Sequence, residues 1–122
     1  AIEGSNLAHS YARKNMKSLS QVALHHGPVE RVLRNQAIPA EADLIVADPP
    51  RAGAKPAIQA IAARNASRIV HIACDPASLA RDVTLYKKHG YQLTQLRAFA
   101  LFPMTHHIEC VAMFEPITNV RS

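Results

Sequence analysis

Cysteine is nearly absent from this chain of 122 residues, with Cys74 and Cys110 as its only two. Two thiols make no disulfide framework. They fit a reducing compartment, so a cytoplasmic location is the expectation. Long apolar runs are also missing: hydrophobic stretches are short and broken by charge, with nothing near the length of a membrane span. No basic-then-apolar leader opens the sequence, which gives no sign of secretion. There is no repeat, low-complexity tract or obvious linker. Glycine is scarce, and Gly4, Gly27, Gly53 and Gly90 lie too far apart for any two to build a glycine-rich loop. Lys and Arg are in excess, for a formal charge of +5, but no long basic run concentrates them. The excess favours a polyanionic partner such as nucleic acid without demonstrating one.

What is present is the material of one ordinary domain. Hydrophobic residues make up 48%, enough to exclude disorder as the state of the whole chain. Ile2-Glu3 reads as the end of a strand whose start is missing. A helix is expected from about Ser5 to Asn15, with Leu7, Ala8, Tyr11 and Ala12 on one face. "QVALHH" reads as a short strand, broken by Gly27-Pro28. A short helix carrying Val29, Val32, Leu33 and Gln36 follows. Asp43 to Ala47 is a near-continuous apolar run, the pattern of a central parallel strand buried on both faces. A helix from Pro56 through Ile58 and Ile61, the strand "RIVHIA", and a helix over Ala77 to His89 come next. The last of these has Leu79, Val83 and Tyr86 as its apolar stripe, basic residues in its last turn and Gly90 just beyond. "YQLTQLRAF" and "HIECVAMF" are two closing strands. The order β-α-β-α-β-α-β-α-β-β predicts an α/β domain with a mostly parallel sheet.

In such sheets ligands sit beyond the carboxyl ends of the strands. Glu3, Asp48 and Cys74 each end a predicted strand, so three chemically capable residues are expected on one rim. Asp75 can cap the helix after Cys74, and Pro76 fits its first position. A helix N-terminus attracts negative charge and suits a nucleophilic thiolate, while Asp75 beside it acts the other way. A buried structural cysteine is the alternative. In "ADPPR", two prolines remove backbone donors and stiffen the exit that carries Asp48. In "FPMTHHIEC", His106 and His107 on a strand face opposite sides, whereas His107 and Glu109 share one. No CxxC or HExxH spacing accompanies them, so no metal is expected. The apolar setting of Glu109 favours a partly buried functional acid over a surface carboxylate.

Together, "DPPRAG", "ACDPASLARD" and "FPMTHHIE", in that order, resemble the RNA (uracil-5-)-methyltransferase family. The likeness runs from "IEGSNLAHSYARKN" to "ECVAMF". It implies a Rossmann-like class I methyltransferase sheet with an antiparallel C-terminal strand, and S-adenosylmethionine as cofactor. Residue by residue, the resemblance assigns Cys74 to the nucleophile and Glu109 to the proton-abstracting base. It assigns Asp48 to the acid lining the methyl-donor and base pocket, and Glu3 to the acid that binds the ribose of the donor. Arg51, Arg81, Thr105 and His107 fall on supporting positions. The partner it implies is tRNA or rRNA with a uridine flipped out of its stack. The chemistry explains the residue types. C5 of uracil is a poor nucleophile until a thiolate adds at C6, and a base must later remove the C5 proton so that the thiol can leave.

The sequence departs from the family pattern at three positions near the motifs. Ala100 stands where the family has an acid before Phe-Pro, Asp75 where it has Asn, and Ala73 where it has Ser. The glycine-rich donor loop and the first strand are absent too. The chain is therefore expected to be the C-terminal portion of a methyltransferase catalytic domain, residues 1–122, incomplete at its N-terminus and inactive alone. An exposed strand edge makes self-association of such a fragment an expectation. Two other readings stay open. One is a noncatalytic RNA-binding or interaction module with a degenerate methyltransferase fold, favoured by Ala100. The other is a cysteine hydrolase, for which no oxyanion-loop signature is present.

Overall fold

The computed structural model describes residues 1–35, 38–100 and 108–118. It divides into two compact units, Ala1–Pro39 and Ala40–Ser122. No helix among the described residues is long and apolar enough to cross a membrane.

In the first unit, β1 (Ile2–Glu3) leads into α1 (Asn6–Asn15). β2 (His25–His26) and α2 (Val29–Val32) follow. Strands β1 and β2 pair in parallel, Ile2 with His25 and Glu3 with His26. α1 starts where it does because Ser5 caps it: the Ser5 hydroxyl accepts from the Ala8 amide at 3.3 Å. Gly27 ends β2 with φ +140° and donates its amide to the Glu3 carbonyl. That backbone conformation is one L side chains rarely adopt. Two expectations are corrected here. The strand over "QVALHH" is only its last two residues. The apolar face expected on α1 is not buried, and Leu7 and Tyr11 stand exposed.

The second unit comprises β3 (Leu44–Ala47), α3 (Lys55–Ala62), β4 (Arg68–Ala73), α4 (Pro76–Lys88), β5 (Tyr91–Phe99) and β6 (Glu109–Pro116). Its sheet has the order β3-β4-β6-β5. β3 and β4 are parallel, and β6 runs antiparallel to both β4 and β5. The sheet is therefore mixed, with the last strand in sequence lying between two earlier ones. Strand alternation turns Ile69, His71 and Ala73 of β4, with Cys110, Ala112 and Phe114 of β6, onto one buried face. α4 covers that face through Leu79, Asp82 and Tyr86, and α3 packs beside it. Tyr86 and Phe114 stack with ring centroids 4.3 Å apart. Such a pair contributes roughly 0.5–1.5 kcal/mol beyond its burial. A bulge between Leu93 and Gln95 shifts the β5 register against β6.

β3 corrects the third expectation. Its apolar run reads as a strand buried on both faces, yet Leu44 is 55% exposed and Val46 61%. Among the described residues β3 pairs with β4 alone, so it forms an edge of its sheet.

Candidate active site

The ladder registers decide which predicted residues meet. Ala47, the last residue of β3, pairs with His71 of β4, so Asp48 leaves the sheet beside β4. Ala73, the last residue of β4, pairs with Cys110 of β6. Cys74 directly follows that pair and Glu109 directly precedes it, at the same edge of the sheet. Asp48 and Cys74 lie at the carboxyl ends of parallel neighbours. Glu109 reaches the same edge at the amino end of β6 because β6 runs the other way. The Cys74 thiol is free and exposed, Asp48 is exposed and Glu109 is half-buried. Cys110, by contrast, is a buried thiol on the helix-covered face.

α4 fastens the two loops of this edge together. Its N-cap is Asp75, which follows Cys74 and accepts from the Ser78 amide at 3.1 Å and the Ser78 hydroxyl at 2.7 Å. Those two bonds, the side-chain one first, hold the Asp75 carboxyl below its ordinary range, with help from Arg51 and Arg81. The Ser78 hydroxyl is also 2.8 Å from the Arg51 carbonyl. Arg81 donates to the Ala52 carbonyl at 2.6 Å. Asp82, fully buried, accepts from the Ala54 amide at 2.7 Å. Three residues of the loop after Asp48, namely Arg51, Ala52 and Ala54, are thus held by three residues of one helix. The turn itself closes with Gly53 donating to the Pro50 carbonyl at 2.8 Å.

Beneath the edge lies a buried polar group. His71 Nδ1 is 3.2 Å from the Tyr86 hydroxyl, and His71 Nε2 is 3.8 Å from Asp82 Oδ2. Burial pushes the His71 pKa down, against the opposing charges of Asp82 and Asp48. Burial, and then the Asp82 charge, push the Tyr86 hydroxyl up. Both effects keep these side chains neutral beside one carboxylate.

Glu3 stands in the other unit and is described there. It ends β1, and its Oε1 accepts from the Ser5 amide at 2.8 Å. Arg51 is exposed, and only its carbonyl and its charge near Asp75 enter the clamp. Thr105 and His107 lie outside the described residues. No group of three or more side chains able to hold a metal ion occurs among the described residues. Sequence reasoning missed Ser78 and Asp82. A signal for Asp82 existed: it falls on the helix face of Leu79 and Tyr86, and a carboxylate on a core face needs a donor.

The chain matches the family model described as tRNA (Uracil-5-)-methyltransferase over residues 12–116. It belongs to the tRNA (uracil-5-)-methyltransferase family. It is 48% identical over 116 residues to an uncharacterized RNA methyltransferase of Streptomyces avermitilis, covering 94% of this chain and 27% of that protein. It is 37% identical over 119 residues to the 23S rRNA (uracil(1939)-C(5))-methyltransferase RlmD of Shewanella denitrificans, covering 96% and 25%. The chain thus spans about a quarter of the length of these relatives. The fold is shared with N-methyltransferase NodS of Bradyrhizobium japonicum, solved with S-adenosyl-l-homocysteine. The TM-score is 0.69 at 16% identity, over 96% of this chain and 65% of NodS. In this member of the tRNA (uracil-5-)-methyltransferase family, two of the motif stretches, "DPPRAG" and "ACDPASLARD", are tied together by α4.

Proposed function

We propose that this chain is the C-terminal portion of the catalytic domain of a cytoplasmic RNA methyltransferase that methylates C5 of uridine in tRNA or rRNA. The observation that carries the reading is the position of Cys74 and Glu109 at the same end of the β4–β6 ladder, each next to the Ala73–Cys110 pair. Two groups that must act on neighbouring ring atoms, C6 and C5, need such proximity.

The methyl donor is S-adenosylmethionine, which supplies an electrophilic methyl group on a sulfonium. Of the residues present, Glu3 would hold its ribose end: it stands at a strand end with one oxygen fixed by the Ser5 amide, and a carboxylate can accept from ribose hydroxyls. In the same reading Asp48, carried on its proline-stiffened loop, is the acid of the methyl-donor and base pocket. None of the four glycines forms the close-approach loop that would receive the rest of the donor. The 122 residues alone are therefore inactive in this reading.

In the reaction proposed, the Cys74 thiolate adds to C6 of the uracil and a C–S bond forms. The electron pair of the C5–C6 double bond becomes available at C5, which would take the methyl group as the donor's sulfonium–methyl bond breaks and its electron pair stays on sulfur as a neutral thioether. Glu109 then removes the C5 proton. The C5–C6 double bond re-forms and the bond to Cys74 breaks, returning the thiolate. Asp48 accepts hydrogen bonds from the bound ligands, and the flipped-out uridine enters from the open edge of the sheet.

The test uses the full-length enzyme and RNA containing 5-fluorouridine. Fluorine cannot leave as a proton, so a denaturation-resistant complex should accumulate and should vanish with Cys74→Ser. Ala100, in place of an acid, favours a noncatalytic RNA-binding module. RNA binding without any adduct would support that alternative and overturn the enzyme.

A further inference from the structure

We infer that Asp82, aided by Arg81, is a positioning residue that fixes the Asp48–Ala54 loop against the Cys74 loop. The inference rests on the methyltransferase reading for its purpose, but its geometry stands apart from it. Asp82 is 28 residues from Ala54 in sequence, and its carboxylate takes the Ala54 amide at 2.7 Å with both partners buried. A methyl group added at Gly53 would come within 2.6 Å of Asp82 Oδ2, so the loop backbone lies directly against the carboxylate. Arg81, one residue earlier, grips the carbonyl of Ala52. The helix that makes these bonds begins with Asp75, next to Cys74. One rigid element therefore sets the separation between the acid loop and the nucleophile loop.

A purely structural role fits Asp82 poorly. Its Oδ1 and the nearby His71 Nε2 are buried without a hydrogen-bond partner among the described residues. A half-satisfied buried carboxylate is a costly way to fill a core, and an apolar side chain of similar size often does so better. What Asp82 provides and an apolar side chain does not is an acceptor aimed at the Ala54 amide.

The experiment compares wild type, Arg81→Ala, Asp82→Asn and Asp82→Ala in the full-length enzyme, with two readouts. The first is hydrogen exchange of the Ala52–Ala54 amides relative to those of β4, which needs no activity. The second is the rate of adduct formation with 5-fluorouridine RNA at saturating RNA and donor. Asp82→Ala should speed loop exchange at least about tenfold and slow adduct formation by about a hundredfold, the cost of a misplacement near 1 Å. Asp82→Asn keeps an acceptor and should restore most of both. Arg81 is exposed, so its replacement leaves the core intact and still tests the clamp if Asp82→Ala does not fold. Arg81→Ala should loosen the loop and slow the adduct to a smaller degree. Unchanged loop exchange in Arg81→Ala and in the folded Asp82 variants overturns the clamp. Faster exchange with an unchanged adduct rate overturns the positioning role and leaves a structural one. A wild-type enzyme that forms no adduct overturns the methyltransferase reading instead, while the exchange data still decide whether Asp82 holds the loop.

Discussion

Cys74 directly follows, and Glu109 directly precedes, the facing pair Ala73–Cys110 that ends the β4–β6 ladder. In an antiparallel ladder, residues flanking a pair in this way lie at the same edge. This closeness yields a prediction in which the two side chains fail differently. Cys74→Ser should give no covalent complex with any RNA. Glu109→Gln should still add and methylate but not release, because the C5 proton stays. Ordinary uridine RNA should then accumulate as a methylated covalent complex, readable as a shifted band under denaturing conditions. Glu109→Gln showing neither a complex nor a rate defect would rule out Glu109 as the base.

Gly53 gives a stability prediction with an internal control. Its φ is +94°, and an added Cβ meets a buried carboxylate at 2.6 Å. Gly90 has φ +90° and nothing within 4 Å. Both glycine-to-alanine changes incur the backbone penalty of about 1 kcal/mol. Gly53→Ala should lose roughly 1–3 kcal/mol more from overpacking. Urea unfolding checks this: the midpoint should fall further for Gly53→Ala, with the slope unchanged in both.

Acid should destabilise the fold first through His71. Burial lowers its pKa below the ordinary value of 6.5, so between the folded and unfolded values the unfolded chain binds more protons. Its contribution is whole above 6.5 and falls as pH drops through that value toward the lower folded one. Asp75, whose carboxyl is held below 3.8, adds a second loss only beneath that pH. Tyr86, raised from 10, acts at the opposite extreme, with stability falling as pH rises above 10. Urea midpoints at pH 7 and 5.5 should differ, and His71→Gln should narrow the difference. An unchanged difference in that variant would exclude His71 as its source.

The isolated 122 residues should self-associate. Among the described residues β3 pairs on one side only, and it carries the exposed pair Leu44 and Val46 on one face. Such an edge is a template for a further strand. Light scattering should give a mass that rises with concentration above 13.3 kDa. Val46→Lys should lower it toward that value. A single monomeric mass at every concentration would sink this expectation.

Much of the second unit is legible in the sequence because local pattern and tertiary role agree there. "RIVHIA" and "YQLTQLRAF" become β4 and β5 with the expected ends. Asp75-Pro76 announces α4 because a capping acid and an N1 proline act within one turn. β3 is misread because an apolar run reports burial only when neighbours exist on both sides, and sequence does not count neighbours. α1 is misread for the same reason: Leu7 and Tyr11 share a face, but no partner layer within its unit buries them. The strand ends carrying Asp48 and Cys74 are visible from alternation with helices. The clamp is not, because Asp82 binds a backbone amide 28 residues away, and backbone amides leave no trace in the residue string.

The position of β6 also bears on how this protein is made. A ribosome delivers β4, α4 and β5 before β6, yet β6 is the strand that joins β4 to β5. Until it inserts, those two have no bond to each other through the sheet. A message cut short inside β6 would therefore yield β4 and β5 as two unjoined strands.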